Sequence, residues 1–152
     1  MLEAWLEALA LTPVAQWVRF SRWSYAIINT LHVLGIALLV GAIIPLDLKR
    51  IGLWRCITLE QLAHVLVPVA VSGFVIAVIS GVLLFMAGPS DYFAQSIFLF
   101  KLLCIAFAVA NAVNFHWRIG YAVPFNQQRL VGFVSLILWL CALVAGRFIA
   151  YV

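Results

Sequence analysis

An all-α transmembrane bundle of four antiparallel helices, preceded by short interfacial helices, is the fold class this sequence predicts, and three observations carry it. Four apolar runs, each about 20 residues long, take up most of the 152 positions, and ~20 residues is the length a helix needs to cross ~30 Å of hydrocarbon. Charged residues make up 9% of the chain, against about 25% in a soluble domain, and the mean hydropathy is +1.18. The connections between the runs are short, which makes consecutive helices antiparallel neighbours in an up-down-up-down order. This length supports one bundle and no second domain.

Residues 1–22 are expected to lie on the membrane surface. Leu2, Trp5, Leu6 and Leu9 recur at helical spacing, with Glu3 and Glu7 elsewhere on the helix. Thr12-Pro13 is an N-cap followed by proline at the first helical position, opening a second short helix through Phe20. With Glu3 and Glu7 where a basic n-region would stand, and no A-x-A site behind a short apolar core, no secretory signal peptide is expected and the first span serves as its own insertion signal. The bundle then occupies 23–152. Its spans are about 23–46, ending at Asp47-Leu48-Lys49-Arg50; 62–86, ending at the turn signal Gly88-Pro89-Ser90-Asp91; 97–116, followed by Arg118 and a Gly120/Pro124 loop; and 130–150.

Trp17, Trp23, Tyr25, Tyr92 and Tyr151 should ring one interface, with Trp54, Trp117 and Tyr121 at the other. The 1–2 and 3–4 loops carry Lys49, Arg50, Arg55, Arg118 and Arg129, whereas the opposite side carries Arg19 and Arg22. Five basic residues against two favour basic loops in the cytoplasm and both termini in the periplasm of a bacterial inner membrane. Small residues at Gly73, Ala77 and Gly81, and at Gly132, Ser135, Ala142 and Gly146, mark helix-packing stripes.

Ionisable groups inside a bilayer are costly and therefore informative. At the cytoplasmic level stand Asp47, His64 and His116. Two histidines at matching depth on adjacent helices could hold a metal, or a haem iron axially, with Asp47 orienting one imidazole. Alternatively the histidines face headgroups, and Asp47 pairs with Lys49 or Arg118. At the outer level stand Asn29, His32, Lys101 and Arg147, with Ser80 close in depth. Asn29, His32 and Asp47 share one stripe of the first span, and Lys101 shares a seam of the third with Cys104 and Asn111. No acidic residue stands at the depth of Lys101 and Arg147. Either both snorkel to headgroup phosphates, or they form an anion-accepting pocket for haem propionates, a quinone carbonyl or an acidic substrate group. His32 lies roughly 20 Å in depth from Asp47 by helix rise, so it cannot join a small metal site with His64 and His116. It is an axial haem ligand or a hydrogen-bonded structural residue.

Several chemistries have no residues to carry them. There is no glycine-rich phosphate loop, no HExxH helix, no nucleophile elbow and no pair of carboxylates within a span. Five acidic residues leave few candidates for acid–base hydrolysis. The three cysteines show no CxxC spacing, and no basic face fits nucleic acid.

The stretches LHVLGIALLVGAIIPLDLKRIG (31–52), SGVLLFMAG (80–88), FLFKLLCIAFAVANAVNFH (98–116) and AGRFIAY (145–151) resemble a family of small four-helix bacterial inner-membrane proteins. The resemblance implies that setting and brings no activity, cofactor or catalytic residue. A looser likeness to b-type cytochromes and copper-resistance membrane subunits rests on histidines in a four-helix bundle, which is a likeness of fold.

Three functions fit these features. The leading one is a redox or cofactor-binding subunit using haem b or a quinone, with His32, Lys101, Arg147, Asn29 and Asn111 around the cofactor. The others are a non-catalytic anchor for membrane partners, either other subunits or further copies of this chain, and a small permease or metal-handling protein with a path along His32, Asn29 and Asp47.

Overall fold

The computed structural model describes residues 1–54, 56–119 and 124–151. Of the loop cations and belt aromatics expected above, Arg55, Tyr121 and the side chain of Arg118 lie outside the described residues. The chain forms α1 (Leu2–Ala10), α2 (Pro13–Phe20), α3 (Arg22–Ile51), α4 (Leu59–Met86), α5 (Pro89–Ala94), α6 (Ser96–Asn114) and α7 (Phe125–Phe148). A π turn, Phe115–Ile119, prolongs α6, and a 3-10 turn, Ile149–Tyr151, follows α7. The helices α3, α4, α6 with the start of its π turn, and α7 are long and apolar enough to cross a membrane.

Helix ends sit where capping chemistry puts them, not where hydropathy stops. Asp47-Leu48-Lys49-Arg50 closes the apolar run but not the helix, because charge alone does not break an i→i−4 ladder. Helix α3 ends at Gly52, whose φ of 115° gives the left-handed C-cap, with its N–H returned to the carbonyls of Leu48 and Lys49. Helix α4 starts at Leu59, three residues before the apolar run, because Thr58 and Gln61 form a reciprocal capping box. Where a turn is expected at 88–91, Pro89 opens the short helix α5, which runs on to Ala94.

Close interhelical contacts give the direction of packing. Gly35 of α3 meets Ala77 and Gly73 of α4, and Gly73 meets Leu39, so α3 and α4 run antiparallel. Gly132 of α7 meets Asp47 and Arg50 of α3. Asn111 Nδ2 of α6 donates to the Val131 carbonyl of α7 at 3.2 Å, while Lys101 lies over Gly146. Antiparallel packing therefore holds throughout. The backbone contacts run α4 to α3, α3 to α7 and α7 to α6, and α4 and α6 scarcely touch. The expectation that every consecutive pair packs directly fails here. The aromatic stack of Phe85 on Phe98, with centroids 5.5 Å apart and planes 5° apart, props α4 and α6 at their outer ends. The bundle is an arc with a seam on one side.

Its apolar centre is Leu39, Ala42, Ala70, Ala108 and Trp139, with Phe74, Ile105 and Leu138 packed against them. Outside the bundle, α2 docks on α3 and α4 by burying Ala15 and Val18, while Trp5, Trp17 and Trp23 face outward. Trp54, Trp117 and Tyr151 are likewise exposed.

Candidate functional site

A cavity of about 930 Å³ opens on the seam between α4 and α6 in the outer half of the bundle. That size lies within the roughly 300–1,000 Å³ of ordinary ligand pockets. Its walls are chiefly apolar, and Asn29, His32 and Lys101 line it together. Three of the residues expected at the outer level are thus brought to one place from α3 and α6.

His32 is held by geometry that fixes its tautomer. Its Nδ1 lies 2.9 Å from the Ala77 carbonyl oxygen and 3.2 Å from Ser80 Oγ. A carbonyl only accepts, so Nδ1 carries the hydrogen, and Ser80 Oγ in turn donates to the Ile76 carbonyl. In the neutral ring Nε2 then keeps its lone pair. The ring fits only because position 81 is glycine: a Cβ there would stand 2.9 Å from His32 Cε1. Lys101 lies over Gly146, where a Cβ would meet its Cε and Nζ at 3.4 Å, an ordinary contact, so the lysine rests on this position without depending on glycine there. Both glycines belong to the stripes read from sequence as helix-packing surfaces. Here Gly81 makes room for the His32 ring, and Gly146 is the surface on which Lys101 rests.

The mouth of the cavity faces the surface on which the N-terminal helices lie. Arg19 of α2, Tyr25 of α3, and Asp91 and Tyr92 of α5 line it. Burial first, and then Tyr25 and Asp91 beside it, push the Tyr92 phenol above its ordinary pKa, so it is a hydroxyl donor at neutral pH. At the floor, Trp139 packs edge-on against Phe74, with centroids 6.4 Å apart and planes at 80°. Its Nε1–H is enclosed without a hydrogen-bond partner among the described residues.

Two expected members stand elsewhere. Arg147 is exposed, donates from Nη2 to the Tyr151 hydroxyl at 2.7 Å and stacks on that ring. It is the interfacial cation of the pair, and Lys101 the internal one. Asn111 clamps α6 to α7 through Val131 and does not line the cavity.

At the other end, His64 and His116 line a smaller cavity of about 320 Å³ together with Glu60, Val67 and Pro68. Pro68 has no N–H to offer the His64 carbonyl, which adds a polar atom to that wall. Asp47 does not join them. It is fully buried, and Arg50 Nη1 donates to its Oδ1 at 2.8 Å, with the guanidinium 4.2 Å above the buried Phe115 ring. Lys49 turns away to the Trp54 carbonyl. The sequence signal for this pair was the i,i+3 spacing of Asp47 and Arg50, which puts both on one helix face. No group of three or more His, Cys, Asp or Glu suited to a metal ion occurs among the described residues.

The chain matches no known family model, no curated protein and no solved structure.

Proposed function

We propose that this chain is a multi-pass subunit of the bacterial inner membrane, with both termini periplasmic, whose outer cavity holds a quinone-class electron carrier. The supporting observation is the convergence of His32 and Lys101 on an apolar cavity at a seam where the backbones of α4 and α6 scarcely touch. A lipid-soluble ring needs apolar walls and a lateral entrance from the bilayer, and its oxygens need a few fixed polar partners. Lys101, which has no acidic partner within the spans, supplies a charge-assisted donor to one ring oxygen. The lining supplies no second histidine, which favours a quinone over a haem with two imidazole ligands.

Haem b is the second reading, and one observation favours it. An imidazole whose Nδ1–H is tied to a backbone carbonyl presents Nε2 in the orientation used by axial ligands, with Lys101 left for a propionate. An absorption spectrum of the detergent-purified protein, oxidised and reduced, separates the two. A Soret band retained in the wild type and lost in His32→Ala selects haem. Saturable binding of a decyl benzoquinone to nanodisc-embedded protein, with no Soret band, selects the quinone. Absence of both, together with co-purification of other membrane subunits, leaves the anchor role.

A further inference from the structure

We propose that the cavity discriminates between the two redox states of its occupant and binds the hydroquinone more tightly than the quinone, through a hydroxyl donated to His32 Nε2. This rests on the quinone reading above and specifies which form of the ligand the site is built for. The contact from Nδ1 to the Ala77 carbonyl leaves the ring one open position, a lone pair, in a cavity where Lys101 offers the opposite kind of group, a donor. No bond to Nε2 or to Lys101 Nζ is made among the described residues. A ligand that satisfies both must give a hydrogen at one oxygen and accept one at another. A hydroquinone does this. A quinone has two carbonyl oxygens, so one would face Lys101 and the other would set its lone pair against that of Nε2.

Three escapes are closed by the surroundings. Moving the hydrogen from Nδ1 to Nε2 abandons the Ala77 carbonyl and turns a satisfied contact into lone pair against lone pair. Flipping the ring puts Cδ2 in place of Nδ1 at the Ala77 carbonyl and forfeits the hydrogen bond made there. Adding a second ring proton puts an imidazolium and the Lys101 ammonium into one apolar cavity, where charges interact more strongly than in water. A hydrogen bond of this kind corresponds to a preference of roughly tenfold.

The test uses the full chain in nanodiscs under argon, titrated calorimetrically with a decyl benzoquinone, its hydroquinone and the dimethyl ether of that hydroquinone. The expected order is hydroquinone about tenfold tighter than the quinone, with the dimethyl ether no tighter than the quinone. His32→Asn keeps an amide donor near the Nδ1 position and removes Nε2, so it should erase the preference. His32→Gln, whose amide oxygen can stand near the Nε2 position, should restore part of it. Equal wild-type affinities for both redox forms, or tighter quinone binding, overturn this inference and leave the quinone site standing. Failure of every ring compound to bind overturns the site itself. The wild-type comparison decides the matter even where a His32 variant does not fold.

Discussion

Replacing Gly35 by alanine tests the close approach of α3 and α4. A Cβ built there stands 2.6 Å from the Ala77 backbone nitrogen and 2.9 Å from the Gly73 carbonyl oxygen. Both obstacles are backbone atoms of α4, so no rotamer change relieves them, and α3 must move away by about 0.8 Å to reach ordinary contact at 3.4 Å. Overpacking of this kind costs about 1–3 kcal/mol, a shift of roughly 5- to 150-fold in the unfolding equilibrium. Alanine also gains up to about 1 kcal/mol of helix propensity over glycine, which would mask part of the loss. Gly41 supplies the control: it lies in the same helix, and its Cβ would meet nothing within 4 Å. Because both variants share the propensity gain, the difference between Gly35→Ala and Gly41→Ala isolates the overlap. Equilibrium unfolding in mixed dodecyl sulfate and mild-detergent micelles, followed by far-ultraviolet circular dichroism, measures it. If Gly35→Ala came within about 0.5 kcal/mol of Gly41→Ala, the close approach of α3 and α4 would be refuted.

The same unfolding assay applies to the buried ion pair. Asp47→Ala or Arg50→Ala alone should cost about 3–5 kcal/mol by leaving one charge unmatched, and the double variant should cost clearly less than the sum. Additive losses would show that the two groups do not interact. Lys101→Met should leave stability unchanged or raised, since no carboxylate is orphaned, while hydroquinone affinity measured by calorimetry falls about 10- to 100-fold with the loss of a charged donor. Arg147→Met removes a cation from the neighbouring turn but touches only the exposed Tyr151 side, so affinity should stay within about twofold and stability within ~0.5 kcal/mol. Equal losses of affinity in the two variants would place the ligand elsewhere.

Much of this architecture is written in period and composition. Run length locates four spans, and helix rise sorts the polar residues into an outer and an inner level that the structure keeps. Depth cannot say which way a residue faces, and that is where expectation and structure part. Lys101 and Arg147 look alike in sequence, yet Lys101 lines the cavity and Arg147 lies against the exposed Tyr151, because helix phase turns them to different faces. Short loops predict adjacency of α4 and α6 but not how little their backbones approach, with the stacked Phe85 and Phe98 rings standing between them at the outer end. Gly81 and Gly146 were legible as small residues. That the first makes room for the His32 ring and the second underlies Lys101 is a matter of how the helices face one another, as is the place of Tyr25, Asp91 and Tyr92 at the mouth.

The polar stripe of α3 suggests a path from Asn29 and His32 to Asp47, and the packing between them bears on whether anything travels along it. Leu39 and Ala42 of α3 occupy the intervening turns, and Ala70 of α4, Ala108 of α6 and Trp139 of α7 close on them from the other helices. Phe74 meets Trp139 at the same level. A layer built from all four spans, apolar except for the one enclosed Trp139 Nε1–H, separates the cavity from the Asp47–Arg50 pair. A desolvated ion or proton would find no partner there, and each unmatched polar group costs several kcal/mol in such surroundings. The cavity opens toward α2 and α5 and along the α4–α6 seam, whereas the inner ion pair meets α7 and Phe115. Such a division suits a carrier that exchanges from the bilayer and releases or takes up protons on one side only, and it weighs against a permeation path through a single copy of the chain.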